Sequence, residues 1–144
     1  MRSVAFAFVC AAVLLGCGEP QLVVPDTLWA EVLPPHGSEQ IGPDVEPLVY
    51  FTHPVANANA VPESIGLSCR GAPPCSQPDT DACTQPDVEV AVLYDAAAQV
   101  ATVNPEDSLQ ADTCYTLVIS AGLEAAPDTV GALPTRIRSG FRTR

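Results

Sequence analysis

The sequence predicts an all-β fold, a sandwich of about seven short antiparallel strands that follows a cleaved N-terminal signal. The first observation is the 15 prolines spread along the chain, a frequency that no long helix tolerates. The second is a set of short segments rich in valine and threonine, some of which alternate apolar and polar residues. Turn-forming residues separate these segments, so their connections are expected to be loops.

The strongest strand pattern spans residues 88–94, where valines and Tyr94 occupy every second position. Period two indicates a strand with one buried face. Residues 95–98 predict a turn, and residues 100–103 return as the partner strand of a hairpin. The other predicted strands cover residues 28–33, 47–51, 64–69, 114–120 and 136–143, and the predicted loops cover residues 38–46, 70–86 and 122–133.

The first 16 residues have the features of a secretory signal. Arg2 provides a positive start, and an apolar run over residues 4–15 precedes a small residue at the expected cleavage site. The run is short for a membrane span, which takes about 20 apolar residues. We therefore expect residues 1–16 to be removed, with an uncleaved membrane anchor as the alternative.

The end of this signal is more specific, because residues 14–17 are Leu-Leu-Gly-Cys. These four positions resemble the lipobox of bacterial lipoproteins. The resemblance implies that Cys17 is diacylated and holds the mature chain on a membrane, with residues 17–26 as a lipidated tether. Gly18 stands where aspartate signals inner-membrane retention in some bacteria, so a cell-envelope location at the outer membrane is expected. A secretory signal with a chance cysteine is the alternative.

The charge of the chain excludes some classes of partner. The chain contains seventeen acidic residues and six arginines, which gives a net charge of −11. Loss of Arg2 with the signal leaves five arginines against the seventeen acidic residues, or −12, and the chain contains no lysine. Nucleic acid and anionic lipid both require a basic surface, so neither is an expected partner. Four arginines fall in the last nine residues, which we interpret as charge that protects a final edge strand from further pairing.

Four cysteines follow Cys17, namely Cys69, Cys75, Cys83 and Cys114. An even number in an exported chain predicts disulfides, and four cysteines allow three connectivities. We favour Cys69–Cys75 and Cys83–Cys114. A zinc site is the less favoured alternative, because the spacing contains no CxxC pair. Residues 69–86 offer few apolar side chains to bury, so this cysteine-rich segment is predicted to be a loop insert ordered by its disulfides.

Four motifs follow one another in a fixed order. A proline-glycine step follows the first predicted strand. The second predicted strand ends on an aromatic residue, with a proline three positions later. A proline and a leucine then precede a strand that begins with tyrosine, and the chain ends on Phe-x-Thr. The motifs occupy residues 34–38, residues 51–55, Pro105 with Leu109 and residues 115–119, and residues 141–143.

Their order and spacing resemble the bacterial Ig-like domain of the SbsA type, found in S-layer and other envelope proteins. The resemblance implies an Ig-like β-sandwich over residues 27–144. The insert at residues 69–86 and the loop at residues 127–131 depart from the pattern. Tyr115 lies where a tyrosine corner would place its hydroxyl against an upstream backbone group, with a plain core tyrosine as the equal alternative.

The sequence shows no constellation of residues typical of catalysis. His36 and His53 both lie in predicted turns beside proline, where a solvated or packing role is expected. We therefore expect neither enzymatic activity nor a cofactor. Asp79 and Asp81 form a weak calcium candidate, because calcium requires six to eight oxygen ligands, and a solvated acidic loop is favoured over it.

These observations predict a non-enzymatic envelope lipoprotein with one Ig-like domain that acts as a structural or protein-interaction module. Its loops, especially residues 70–86, would contact another envelope protein or a polysaccharide. The alternative is a small-ligand or glycan-binding lipoprotein of the envelope. A ligand-sized cavity would favour the alternative, and a filled core would favour the interaction module.

Overall fold

Nine strands form two sheets in the computed structural model, which describes residues 26–76 and 80–144. The four-stranded sheet has the order β1-β3-β7-β6, and the five-stranded sheet has the order β2-β9-β8-β4-β5. A short helix α1 and two turns of 3₁₀ helix, Ala58–Ala60 and Thr80–Ala82, complete the structure. The elements are β1 Ala30–Leu33, β2 Ser38–Ile41, β3 Leu48–Phe51, α1 Val61–Ser64, β4 Ile65–Gly71, β5 Asp87–Val88, β6 Val90–Asp95, β7 Val100–Pro105, β8 Cys114–Ile119 and β9 Ile137–Thr143.

The predicted all-β sandwich is confirmed, and its strand order is that of an Ig-like fold. The two sheets contain the ABED and CFG groups of an Ig sandwich, with β1 as the A strand and β9 as the G strand. The predicted signal and Cys17 lie outside the described residues.

Two strand predictions were incomplete. Residues 38–41, predicted as loop, form β2, which pairs in parallel with β9 through Ser38 opposite Phe141 and Ile41 opposite Thr143. The side chains of β2 give no alternation, because none of them is buried. The predicted strand 88–94 is interrupted at Glu89, where the chain leaves β5 in one sheet and enters β6 in the other.

The predicted hairpin is confirmed, since β6 and β7 pair from Val90 opposite Pro105 to Asp95 opposite Val100. An Asp95 Oδ1 atom accepts hydrogen bonds from the backbone N–H groups of Ala97 at 2.9 Å and Ala98 at 3.1 Å. This side chain therefore satisfies the backbone donors of the turn, a common role of aspartate in tight turns.

The space between the sheets is filled by one cluster of apolar side chains, including Leu28, Val49, Val103, Leu117 and Ile119, each fully buried. Alternate residues of every long strand point into this cluster, which is the periodicity that the sequence displays. A core filled in this way favours the interaction module over a carrier with an internal cavity.

The tyrosine corner is present. Tyr115 is 3% exposed, and its hydroxyl accepts a hydrogen bond from the backbone N–H of Gln110 at 2.8 Å. Its ring stacks on Phe141 with centroids 5.8 Å apart. Burial raises the pKa of Tyr115 above its usual value of 10.0, and the hydrogen bond from Gln110 offsets part of that rise.

The sandwich has two ends. At the end that we call N-terminal, Leu28 N–H donates to Gly131 O at 2.7 Å and Ala56 N–H donates to Glu124 O at 2.8 Å. The opposite end, which we call distal, contains the described residues 72–76 and 80–86 of the loop between β4 and β5 and the segment 106–113. Five residue steps of β8 separate the two ends, a distance of about 17 Å.

Candidate functional site

The four cysteines form two disulfides, Cys69–Cys83 and Cys75–Cys114. The favoured pairing of Cys69 with Cys75 and Cys83 with Cys114 was therefore wrong. The reason is the direction of the side chains. Cys69 lies on the same side of β4 as the buried Leu67 and points into the core, whereas Cys114 lies on the same side of β8 as the outward-facing Thr116.

The loop between β4 and β5 is described at residues 72–76 and 80–86, and these two parts are fixed on opposite sides of the sheet. Cys75 meets Cys114 on the outer side, with Cα atoms 5.4 Å apart. Cys83 returns on the inner side, where it packs against the core and meets Cys69 with Cα atoms 6.0 Å apart. The remaining described residues of the loop are almost all exposed, so the two bridges supply the order that burial does not.

This loop forms one wall of a depression on the outer face of the five-stranded sheet. We call it the basic depression, and its volume is about 310 Å³. Its lining includes His36, Glu39, Arg70, Cys75, Thr116 and Arg142. Two arginines are thus brought together beside a disulfide-fixed loop in a chain whose net charge is −11.

The interpretation of the C-terminal arginines as protection for an edge strand was wrong. β9 lies between β2 and β8, so it is an interior strand of its sheet. Arg138 and Arg142 lie on the side of β9 that faces away from the core, since Ser139, Phe141 and Thr143 are buried. The sequence reveals the alternation of charge in this segment, but the pairing of β9 with β2 is not local and leaves no periodic signal.

The two arginines of the depression differ in their partners. Arg142 Nε donates to Asp112 Oδ1 at 3.0 Å, and its Nη2 atom forms an ion pair with the same oxygen. The hydrogen bond to Asp112 is the main reason that the pKa of Arg142 lies above its usual value. Among the described residues, Arg70 has no acidic group within 4.0 Å and is the more available cation.

The two histidines are held in separate structural contacts. His36 Nδ1 accepts a hydrogen bond from the Gly140 backbone N–H at 2.9 Å, which links the turn before β2 to β9. His53 Nε2 lies 3.3 Å from Asp26 Oδ1 at the N-terminal end. Both arrangements agree with the packing role expected from the sequence.

The structure describes one of the two residues of the calcium candidate. Asp79 lies outside the described residues, and Asp81 is exposed in the 3₁₀ turn Thr80–Ala82. The described parts of the chain contain no group of three or more His, Cys, Asp or Glu residues placed to hold a metal ion. Within the same residues, no helix is both long and apolar enough to cross a bilayer.

A second surface lies on the outer face of the four-stranded sheet. Trp29, Leu33, Tyr50 and Leu93 are all at least 41% exposed, and the register of the sheet puts them on the same side. We call this surface the apolar face. Sequence reasoning did not identify it, because the residues come from three separate segments and only strand pairing unites them.

The strand order, the tyrosine corner and the paired sheets define this protein as an Ig-like sandwich. More particularly, the family described as the bacterial Ig-like domain matches residues 31–143, and the chain belongs to that family. No curated protein matches the sequence.

Solved structures show the same fold at low sequence identity. The surface layer protein SbsC, domains 1–6, is 22% identical with a TM-score of 0.51 over 80% of this chain and 13% of that chain. The N-terminal part of SbsC is 24% identical with a TM-score of 0.52, over 82% of this chain and 24% of that one. PcoC, a copper resistance protein from Escherichia coli, is 13% identical with a TM-score of 0.55, over 79% of this chain and 96% of that chain. This chain therefore spans a small part of the S-layer protein.

Proposed function

We propose that this protein is a non-enzymatic lipoprotein of the cell envelope, anchored through Cys17, that binds another envelope component through the basic depression. The observation that carries the proposal is the loop between β4 and β5, whose described parts, residues 72–76 and 80–86, are each fixed by a disulfide. Two disulfides hold an exposed loop beside Arg70 and Arg142, at the end of the sandwich opposite Asp26. A lipid-anchored chain would thus direct this site away from its attachment point.

The charge distribution indicates the chemistry of the partner. Arg70 lacks an acidic partner among the described residues, and the other charged residues that line the depression are Glu39 and Arg142, the latter already paired with Asp112. A carboxylate-bearing surface fits this arrangement, because arginine binds carboxylates through paired hydrogen bonds. The favoured partner is an acidic region of another envelope protein, and an acidic polysaccharide is the second form of the same proposal.

The relatives agree with a structural or binding role. The S-layer protein SbsC contains this fold within a much longer surface-layer chain. Ig-like sandwiches commonly bind through loops that a rigid scaffold positions, and the basic depression is built in that way.

A small-ligand function is supported by the size of the basic depression. The basic depression has a volume of about 310 Å³, at the lower limit of ordinary ligand pockets. Binding of a small acidic sugar would use the same Arg70 and Arg142 contacts. Titration with uronic acid monosaccharides, followed by the chemical shift of residues around Thr116, distinguishes this candidate from a macromolecular partner.

Site-specific crosslinking in intact cells tests the main proposal. A photoreactive amino acid at Ser76, in the fixed loop, is expected to capture one recurrent envelope protein. The matched control is the same amino acid at Ala97, which is exposed in the turn at the N-terminal end. Arg70→Ala should abolish capture, whereas Arg136→Ala, an exposed arginine far from the depression, should not. Equal capture from Ser76 and Ala97 would refute the proposed site.

The lipid anchor has its own test. Intact mass of the membrane-extracted protein should show a chain that begins at Cys17 and carries acyl groups, and Cys17→Ser should release the domain from membranes. Separation of inner and outer membranes by density then tests the expected outer-membrane location. An unmodified Cys17 would exclude lipid anchoring.

A further inference from the structure

The apolar face gathers the large exposed apolar side chains of the described structure. Trp29, Leu33, Tyr50 and Leu93 are 44%, 44%, 41% and 65% exposed. All four lie on one side of the four-stranded sheet, because their chain neighbours point into the core. A grouped patch of this kind marks an interaction surface, whereas scattered apolar residues do not.

The charges on this sheet lie at its sides. In one cross-strand row, Glu31 of β1 and Asp95 of β6 occupy the two edges, and Tyr50 and Val100 lie between them. None of the four strands contains an arginine. The centre of the face is therefore uncharged, and its acidic rim does not attract anionic lipid.

The tether keeps this face close to a bilayer if Cys17 is acylated as proposed. Asp26 follows Cys17 by nine positions and precedes Trp29 by three. Nine residues reach at most about 30 Å even when fully extended. A contact that is weak for a free domain becomes effective under such confinement, because the second binding step is intramolecular.

A second copy of the chain fits this face less well than lipid does. Four strands about 4.8 Å apart and no more than six residues long present roughly 400 Å² of sheet surface. A standard protein interface buries about 800 Å² on each partner. Tryptophan and tyrosine, by contrast, are the side chains that favour the membrane–water interface.

We propose that the apolar face rests on the zwitterionic headgroup region of the membrane that holds Cys17. The inference depends on the proposed lipid anchor and adds an orientation to it. The basic depression lies on the outer face of the opposite sheet, so it points away from the lipid in this arrangement.

The chain contains one tryptophan, and it lies on this face. Full-length acylated protein is reconstituted into phosphatidylcholine vesicles with and without brominated phosphatidylcholine, which quenches tryptophan on contact. Trp29 is expected to lose most of its fluorescence in brominated vesicles. Leu93→Glu should weaken the docking equilibrium about tenfold and restore the fluorescence. The matched control is Val118→Glu, on the outer face of the other sheet, which should leave quenching unchanged.

The outcomes separate this inference from the anchor on which it depends. Acylated protein that remains in the vesicles without quenching overturns the orientation and leaves the anchor intact. Absence of acyl chains by intact mass overturns both. Unquenched Trp29 together with crosslinked dimers that Leu93→Glu abolishes assigns the face to a second copy, which also overturns the lipid contact.

Discussion

Removal of the Cys75–Cys114 bridge should destabilise the protein mainly by releasing the constraint on the unfolded chain. The pair Cys75→Ser and Cys114→Ala opens a loop of sequence separation 39. Chain entropy for a loop of that length corresponds to about 4 kcal/mol of lost stability. Cys75 is exposed, so its replacement removes little packing, and at Cys114, which is 1% exposed, the change to alanine removes only the sulfur atom.

Urea denaturation under non-reducing conditions measures this loss. A domain of this size unfolds with a slope of about 1.5 kcal/mol per molar urea, so the midpoint should fall by roughly 2.5 M. Ser76→Ala, a neighbouring exposed position, serves as the control and should leave the midpoint in place. Peptide mapping of the variant should still find Cys69 bonded to Cys83.

Two results would contradict the reasoning. A midpoint that moves by less than about 0.5 M would mean that the bridge does not constrain the unfolded chain in the assumed manner. A variant as unstable as fully reduced protein would mean that Cys69–Cys83 cannot form without its partner. Removal of the bridge should also weaken the photocrosslinking of the partner at Ser76, because the loop residues that line one side of the basic depression are then no longer held in place.

Three further predictions concern other contacts. Tyr115→Phe leaves the Gln110 N–H without its acceptor and should cost about 1–2 kcal/mol in denaturant unfolding, whereas Tyr50→Phe should change nothing measurable. Because the pKa of Tyr115 is raised above 10.0 in the folded state, the contribution of this tyrosine to the free energy of unfolding is complete below pH 10 and is lost as the pH rises beyond it. A Tyr115→Phe variant whose stability falls equally steeply at alkaline pH would contradict this. Gly131→Ala places a Cβ atom 2.9 Å from the Thr27 Cγ2 atom and should lower stability by about 1–2 kcal/mol. Thr27→Ser in the same chain removes that methyl group and should restore most of the loss in melting temperature.

The sequence predicts those elements whose signal is local. The hairpin of β6 and β7 is visible because buried and exposed side chains alternate within a few residues and Asp95 marks its turn. The order of the motifs around Phe51, Tyr115 and Phe141 predicts the Ig-like class, which the family match over residues 31–143 confirms.

Features that depend on pairing between distant segments were missed. β2 exposes its side chains and is held by main-chain pairing with β9, about a hundred residues later. The disulfide partners depend on which side of a sheet each cysteine faces, and spacing alone does not reveal that. The apolar face joins Trp29 to Leu93 only through the register of four strands.

The interleaved order of the disulfides has a consequence for biosynthesis. Along the chain the bridged cysteines occur in the order Cys69, Cys75, Cys83 and Cys114, and each bridge passes over the next bridged cysteine in the chain. If the chain is exported as proposed, oxidation in the order of emergence from the translocation pore would join Cys69 to Cys75 first. The native pattern then requires thiol–disulfide exchange, so yield of correctly bridged protein should depend on a disulfide isomerase or on a redox buffer that permits reshuffling.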